Sequence, residues 1–247
     1  MAILLRPPLE NWYLRSWGLR KVWGALALPP RVFEAFLAAP YDLTPDFVLP
    51  ASRRRRAVEH PRYARFCYAL ARGTDARRIL EVGSSSGGTT TGWARALAEA
   101  AGAGADVRLV CVDDDSYTPP VYPTITAQNV GRAGLAADRV TFQRGDSAAL
   151  LPRLQAEFPR FFDIYLVDAG HTYEAALADL ENGLPMVRRG GLIAVHDVDR
   201  TRRMPEATQA HPAPVYDAVG DFVGAHQFES CIVGFVRKHL AIVQVRG

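Results

Sequence analysis

The sequence predicts an α/β protein: a doubly wound, mostly parallel sheet finished by an antiparallel C-terminal hairpin and preceded by a helical extension over residues 1–60. Three observations predict it. From Arg77 onward, short apolar runs alternate with stretches of helical spacing, the pattern of parallel strands joined by crossover helices. These runs end in polar chemistry, at Glu81, Asp113, Asp146, Asp168 and His196-Asp197, and open α/β sheets bind ligands outside the carboxyl ends of their strands. The first run leads through Gly83-Ser84-Ser85-Ser86-Gly87-Gly88 into a helix, where glycines let the backbone approach a ligand at a helix N-terminus.

Taken in order, residues 11–26 mix Trp12, Trp17 and Trp23 with Arg15, Arg20 and Lys21 and read as a basic amphipathic helix. Its apolar face is too short and mixed for a membrane anchor, so it is expected to cover the main domain or a second subunit. Pro29-Pro30 ends that piece, and residues 32–39 make a short second helix before Pro40. The run Arg53-Arg54-Arg55-Arg56 reads as a solvated helix face. The main domain, residues 61–247, opens on a helix that turns Tyr63, Phe66, Cys67, Leu70 and Ala71 inward.

Residues 79–82 then form a buried strand, and the helix after the glycine loop sets Trp93, Leu97 and Ala101 on one stripe. Strands follow at 107–112, 139–143, 163–167 and 192–195, with helices at 128–135, 150–158 (broken at Pro152), 174–187 and 215–223. Asp114 and Asp115 read as a solvated turn, and residues 198–214 as a polar loop. Residues 228–237 and 240–245 form the closing hairpin.

At 247 residues, 49% hydrophobic and 22% charged, the chain suits one large α/β domain with an appendage. A net charge of +3 argues against nucleic acid as a partner in the absence of a concentrated basic patch. Cys67, Cys111 and Cys231 are odd in number and widely spaced, as reduced structural cysteines are. No apolar run reaches membrane-spanning length, and Met1 to Arg6 is too short for a signal-peptide core. A cytoplasmic location is expected.

Three ligand classes compete for the glycine loop. A P-loop needs a lysine where Thr89 stands, and without that cation a triphosphate loses its main charge partner. A dinucleotide fingerprint needs a middle glycine where Ser85 stands. A tight turn with no ligand is the plain alternative. What remains is E-x-G-x-x-x-G from Glu81, and this stretch resembles the first motif of class I S-adenosylmethionine-dependent methyltransferases. The resemblance implies a seven-stranded Rossmann-like sheet and S-adenosylmethionine as cofactor, held by Glu81, Gly83, Ser84, Ser85, Gly88 and Thr89. Glu81 would face the cationic methionine end. Asp113, at the next strand end, would accept the ribose hydroxyls, and Asp146 with Ser147 would hold the adenine edge.

No Asn/Asp-Pro-Pro-Tyr motif follows the fourth strand; Asp168-Ala169-Gly170-His171 stands there, and Thr118-Pro119-Pro120-Val121-Tyr122 lies after the wrong strand. The segment from Phe162 to Tyr173, with Asp179 and then Arg189-Gly190-Gly191-Leu192-Ile193-Ala194-Val195-His196-Asp197, is similar to bacterial small-molecule O-methyltransferases of the macrolide-sugar type, distant relatives of the catechol enzymes. That resemblance implies a divalent metal on Asp168, His196 and Asp197, and His171 as catalytic base beside Asp168. Magnesium is the expected ion. The imidazole of His196, standing where the catechol pattern has an acid, admits manganese, zinc or no metal, or a role orienting Asp197.

The chemistry suits the constellation. Methyl transfer from a sulfonium is an in-line displacement by an oxygen whose proton must leave. A hard cation on Asp168 and Asp197 would lower that hydroxyl's pKa, and an imidazole titrating near neutrality would take the proton. For His171 the alternative is a helix-capping role. The expected partner is a small hydroxylated acceptor, and a homo-oligomer is expected. Arg200, Arg202 and Arg203 read as a solvated loop, with an anionic acceptor as the alternative. A non-catalytic subunit of a biosynthetic complex is the competing reading, but a pure binder has no need of Asp168, His171 and Asp197.

Overall fold

The computed structural model describes residues 19–24, 26–39, 60–115, 122–200, 204–235 and 239–246. Trp12, Trp17, the Arg53–Arg56 run, Arg202 and Arg203 lie outside them. In chain order the elements are β1 (Leu19–Gly24), α1 (Pro30–Ala38), α2 (His60–Gly73), β2 (Arg78–Val82), α3 (Gly88–Gly102), β3 (Arg108–Asp113), α4 (Tyr122–Arg132) and β4 (Val140–Arg144). There follow α5 (Ser147–Glu157), β5 (Phe162–Val167), α6 (Tyr173–Gly183), β6 (Val187–Val195), α7 (Pro214–His226), β7 (Glu229–Phe235) and β8 (His239–Gln244). They form two compact units, residues 29–147 and residues 1–28 with 148–247.

In the unit 29–147 the strands run β2-β3-β4, all parallel, with Val82 opposite Val112 and Asp113 opposite Arg144. Ile79, Leu80, Leu109, Val110 and Val112 are fully buried, as the near-continuous apolar runs of parallel strands require. The five residues expected to turn inward on α2 do so. A β-carbon added at Gly92 of α3 would stand 2.1 Å from the Ala64 carbonyl oxygen of α2, so the two helix backbones approach as only glycine allows. Arg65 of α2, itself buried, donates to the carbonyls of Phe36 and Ala39 at 3.1 and 3.3 Å and so satisfies the end of α1.

The other unit runs β1-β7-β8-β6-β5, with β5 and β6 parallel and the remaining pairs antiparallel. Within the units, then, every pairing among β2 to β6 is parallel, and the mostly parallel Rossmann-like class with its C-terminal hairpin is found. β1 is a correction. Residues 19–24 were expected to be helical, but they pair along β7, from Leu19 opposite Phe235 to Gly24 opposite Cys231. A partner strand that distant in sequence leaves no local periodicity to read, and tertiary pairing overrides local propensity.

Smaller corrections have local causes. α4 begins at Tyr122, not Gln128, with Pro123 in its first turn where a missing N–H costs nothing. α5 runs through Pro152 unbroken, with Leu151 and Leu154 buried beside it. α6 stops at Gly183, before Pro185, and residues 184–186 form a single 3-10 turn into β6. All three cysteines are free and buried. Among the described residues no helix is long and apolar enough to cross a membrane.

Candidate functional site

In the unit 29–147, β2 delivers Glu81 fully buried and then enters the glycine loop. Gly83 (φ +90°) donates its N–H to the Val112 carbonyl at 2.8 Å, and Gly87 (φ +84°) donates to Ser84 at 2.8 Å before α3 starts at Gly88. Both glycines hold left-handed backbone that other residues rarely adopt. Thr89 Oγ1 donates to Glu81 Oε1 at 2.5 Å. The Cys111 thiol lies 3.8 Å from Glu81 Oε2, and burial, then the Glu81 charge, push its pKa well up.

Asp113, at the end of β3, reaches back to this loop. Its Oδ2 accepts the Ser85 N–H at 2.7 Å, and its Oδ1 accepts the Asp115 N–H at 2.8 Å. α4 holds the loop from the opposite direction: Thr126 Oγ1 donates to the Ser85 carbonyl at 2.5 Å and Asn129 Nδ2 to that of Ser86 at 3.1 Å. Thr126 and Asn129 are buried and carry no motif signal in the sequence. Gly87 does carry one, as the second glycine of E-x-G-x-x-x-G, whereas the site residues expected from sequence include Gly88. Asp115 is not a solvated turn residue: its carboxylate pairs with Arg144 Nε at 2.7 Å and its side chain is only 8% exposed. Asp146 is exposed and Ser147 half-buried at the start of α5.

In the other unit, β5 ends at Val167 and hands on to Asp168; Thr172 caps α6 by accepting the Ala175 N–H at 3.1 Å. The capping role open to His171 in the sequence thus belongs to Thr172. His171 instead sets Nε2 3.2 Å from Asp197 Oδ2. Beyond β6, the His196 N–H donates to the Val167 carbonyl at 2.9 Å, which fixes the two strand ends side by side. Asp197 follows in left-handed backbone (φ +55°), a strained position that Asp tolerates better than most residues and that re-aims its side chain. His196, buried, places Nδ1 2.9 Å from Asp168 Oδ1 and 3.5 Å from Asp197 Oδ2.

The charges are coupled. The hydrogen bond to Asp197 raises the pKa of His171 against the effect of burial, and the charges of Asp168, Asp197 and Glu206 add to the rise. Burial opposes charging of His196, but the carboxylates of Asp168 and Asp197 outweigh it and lift the ring to about 9. One ligand atom each from Asp168, His171 and Asp197 lie within 4.8 Å of one another, two hard oxygens and an imidazole that suit magnesium, manganese or zinc. That trio has His171 where the sequence-based set has His196.

Comparison with known proteins bears on the family and the fold. Residues 80–198 match a family described as "Methyltransferase domain". The chain is 33% identical over 178 residues to a catechol O-methyltransferase of Mycobacterium tuberculosis, covering 70% of this chain and 73% of that one. It is 28% identical over 187 residues to a catechol O-methyltransferase of Niastella koreensis, covering 76% and 75%. Among solved structures, cofactor-bound Rv0187 from MTB superposes with a TM-score of 0.57 at 27% identity over 87% of this chain and 89% of that one. An O-methyltransferase from Bacillus cereus in complex with SAH shares the fold, with a TM-score of 0.56 at 20% identity over 87% and 89%.

Proposed function

The chain belongs to the class I S-adenosylmethionine-dependent O-methyltransferases, and from that premise we propose that Asp168, Asp197 and His171 methylate a hydroxyl of a small acceptor, the carboxylates holding a divalent metal and His171 serving as base. The observation that carries this reading is the His171 Nε2–Asp197 Oδ2 approach of 3.2 Å with an Asp168 oxygen inside the same 4.8 Å cluster. The metal, when bound, lowers the pKa of the acceptor hydroxyl. His171, oriented by the turn that Thr172 caps, takes the hydroxyl proton. The acceptor oxygen forms its bond to the methyl carbon while the carbon–sulfur bond breaks, and the electron pair stays on sulfur.

In the same proposal the glycine loop, from Gly83 through Ser84 and Ser85 to Gly88 and Thr89, binds the cofactor. Glu81 is buried next to Thr89, and its negative charge suits the cationic methionine end. Asp113 is proposed for the ribose hydroxyls: each of its oxygens accepts one backbone N–H, and an ionised carboxylate has about four lone-pair sites. Asp146 and Ser147 are proposed for the adenine edge.

His196 favours a second reading of the same reaction. Two converging carboxylates need positive charge beside them, and a His196 ring lifted to about 9 supplies it without a metal. The test is transfer of a labelled methyl group to a dihydroxyphenyl acceptor, with magnesium and with excess chelator. Loss of transfer in chelator, restored by magnesium, is the expected result. Full transfer in chelator selects the second reading. Failure to methylate any hydroxyl acceptor while the cofactor binds overturns both.

A further inference from the structure

Ser85 stands in left-handed backbone (φ +46°) between Gly83 and Gly87, which hold the same region without a side chain to hinder them. A serine is strained there, and such a residue persists only where its surroundings over-determine it. Three hydrogen bonds do so: the Ser85 N–H donates to Asp113 Oδ2 at 2.7 Å, its carbonyl accepts from Thr126 Oγ1 at 2.5 Å, and the next carbonyl, of Ser86, accepts from Asn129 Nδ2 at 3.1 Å. Thr126 and Asn129 stand three residues apart on α4, so they share one face, and both are buried. A β-carbon added at Gly87 would lie 3.2 Å from Thr126 Cγ2 and 3.3 Å from Thr126 Cα, so α4 abuts the loop at Gly87 as well.

Through Ser85, a hydroxyl on α4 and a carboxylate at the end of β3 are linked across a single residue: one binds its carbonyl, the other its N–H. Relaxation of Ser85 out of left-handed backbone would displace both groups together. Asp113 is then pinned at each oxygen, by Ser85 on Oδ2 and by the Asp115 N–H on Oδ1 at 2.8 Å, which fixes its rotamer. We infer that Thr126 is a positioning residue for the cofactor: it holds the strained Ser85 and, through the Ser85 N–H, aims the Asp113 carboxylate before the ribose arrives. Asn129 supports the same loop one carbonyl further on. A site aimed in advance spends less of its binding free energy on ordering itself. The inference rests on the proposed role of Asp113 toward the ribose hydroxyls.

Calorimetry of S-adenosylmethionine binding to the full chain compares wild type with Thr126→Val, Thr126→Ser, Asn129→Ala, Asp113→Ala and the double variant Thr126→Val/Asp113→Ala. Thr126→Val keeps the side-chain shape and removes the donor, and it should weaken binding by about tenfold, the effect of a carbonyl losing its hydroxyl partner. Thr126→Ser returns the hydroxyl and should recover most of that loss, and Asn129→Ala should act in the same direction as Thr126→Val. In turnover the loss should fall on KM for the cofactor rather than on kcat or on KM for the acceptor. Members of one hydrogen-bond network are not additive, so Thr126→Val should cost less than about twofold once Asp113 is already alanine. Wild-type affinity in Thr126→Val, or the full loss repeated in the Asp113→Ala background, overturns the inference. Melting temperatures accompany each variant, and Thr126→Ala takes the place of Thr126→Val if the valine form does not fold. Hydrogen exchange at the Ser85 amide without cofactor separates this result from failure of the ribose reading. If Asp113→Ala leaves affinity unchanged, that reading fails; faster exchange in Thr126→Val, reversed in Thr126→Ser, still upholds the hold of Thr126 on the loop, and unchanged exchange sinks it.

Discussion

His196 Nδ1 lies 2.9 Å from Asp168 Oδ1, joining the residues that follow two neighbouring parallel strands. The contact pairs an imidazole with a carboxylate where the sequence suggests two metal ligands of equal standing. It makes His196 a partner of the acids as much as a ligand, and leaves His171 as the imidazole with greater solvent access.

His171→Ala should lower turnover by ~10²–10⁴-fold, the usual cost of a lost general base. Calorimetric binding of S-adenosylmethionine should be retained, because Glu81, Ser85 and Asp113 belong to the other unit. Full turnover by this variant would remove the base from the mechanism.

Asp113→Ala should weaken S-adenosylmethionine by ~1.5–3 kcal/mol, the worth of a charged hydrogen bond. The Ser85 N–H also loses its acceptor in this variant, so the loop itself should loosen. Faster hydrogen exchange at Ser85, read beside the binding constant, checks both effects.

In chelator, thermal stability should fall as pH rises toward about 9. The folded pKa of His196 is raised from its ordinary 6.5 to about 9, so its charged contacts with Asp168 and Asp197 stabilise fully below the unfolded pKa and are lost as pH climbs through the folded one. His196→Asn should flatten that slope in a melting series. A slope identical to wild type would show that His196 does not carry the charge.

Gly92→Ala should destabilise the protein by ~1–3 kcal/mol, the typical cost of overpacking, since its new methyl group would fall 2.1 Å from the Ala64 carbonyl oxygen. A urea titration reads this directly, and a neutral result would mean that α2 and α3 can part at little cost.

How much could be read from sequence depended on where the determinants lie. The parallel strands announce themselves because both faces are buried, as at Ile79-Leu80 and Ile164 to Val167. The positions of Asp113 and Asp168 at strand ends were legible for the same reason: each follows an apolar run directly. Thr126 and Asn129 were not, because their meaning comes from what another element places against them. The Asp113–Ser85 contact was missed likewise: a motif names the residue types of a loop, and only the fold shows that its backbone is tied to the next strand end.

The pairing of β1 with β7 bears on how the chain can be handled and how it matures. An unpaired β7 edge would offer a row of free N–H and C=O groups to any passing strand, and Leu19–Gly24 occupies that edge with the protein's own backbone. During synthesis the early strand must wait for nearly the whole chain before its partner emerges, a long-range closure that favours slow completion and chaperone engagement. Trimming the leading residues as though they were a dispensable helix would uncover a sticky margin and invite self-association. Shortened forms of the protein for crystallisation or engineering are best begun upstream of Leu19.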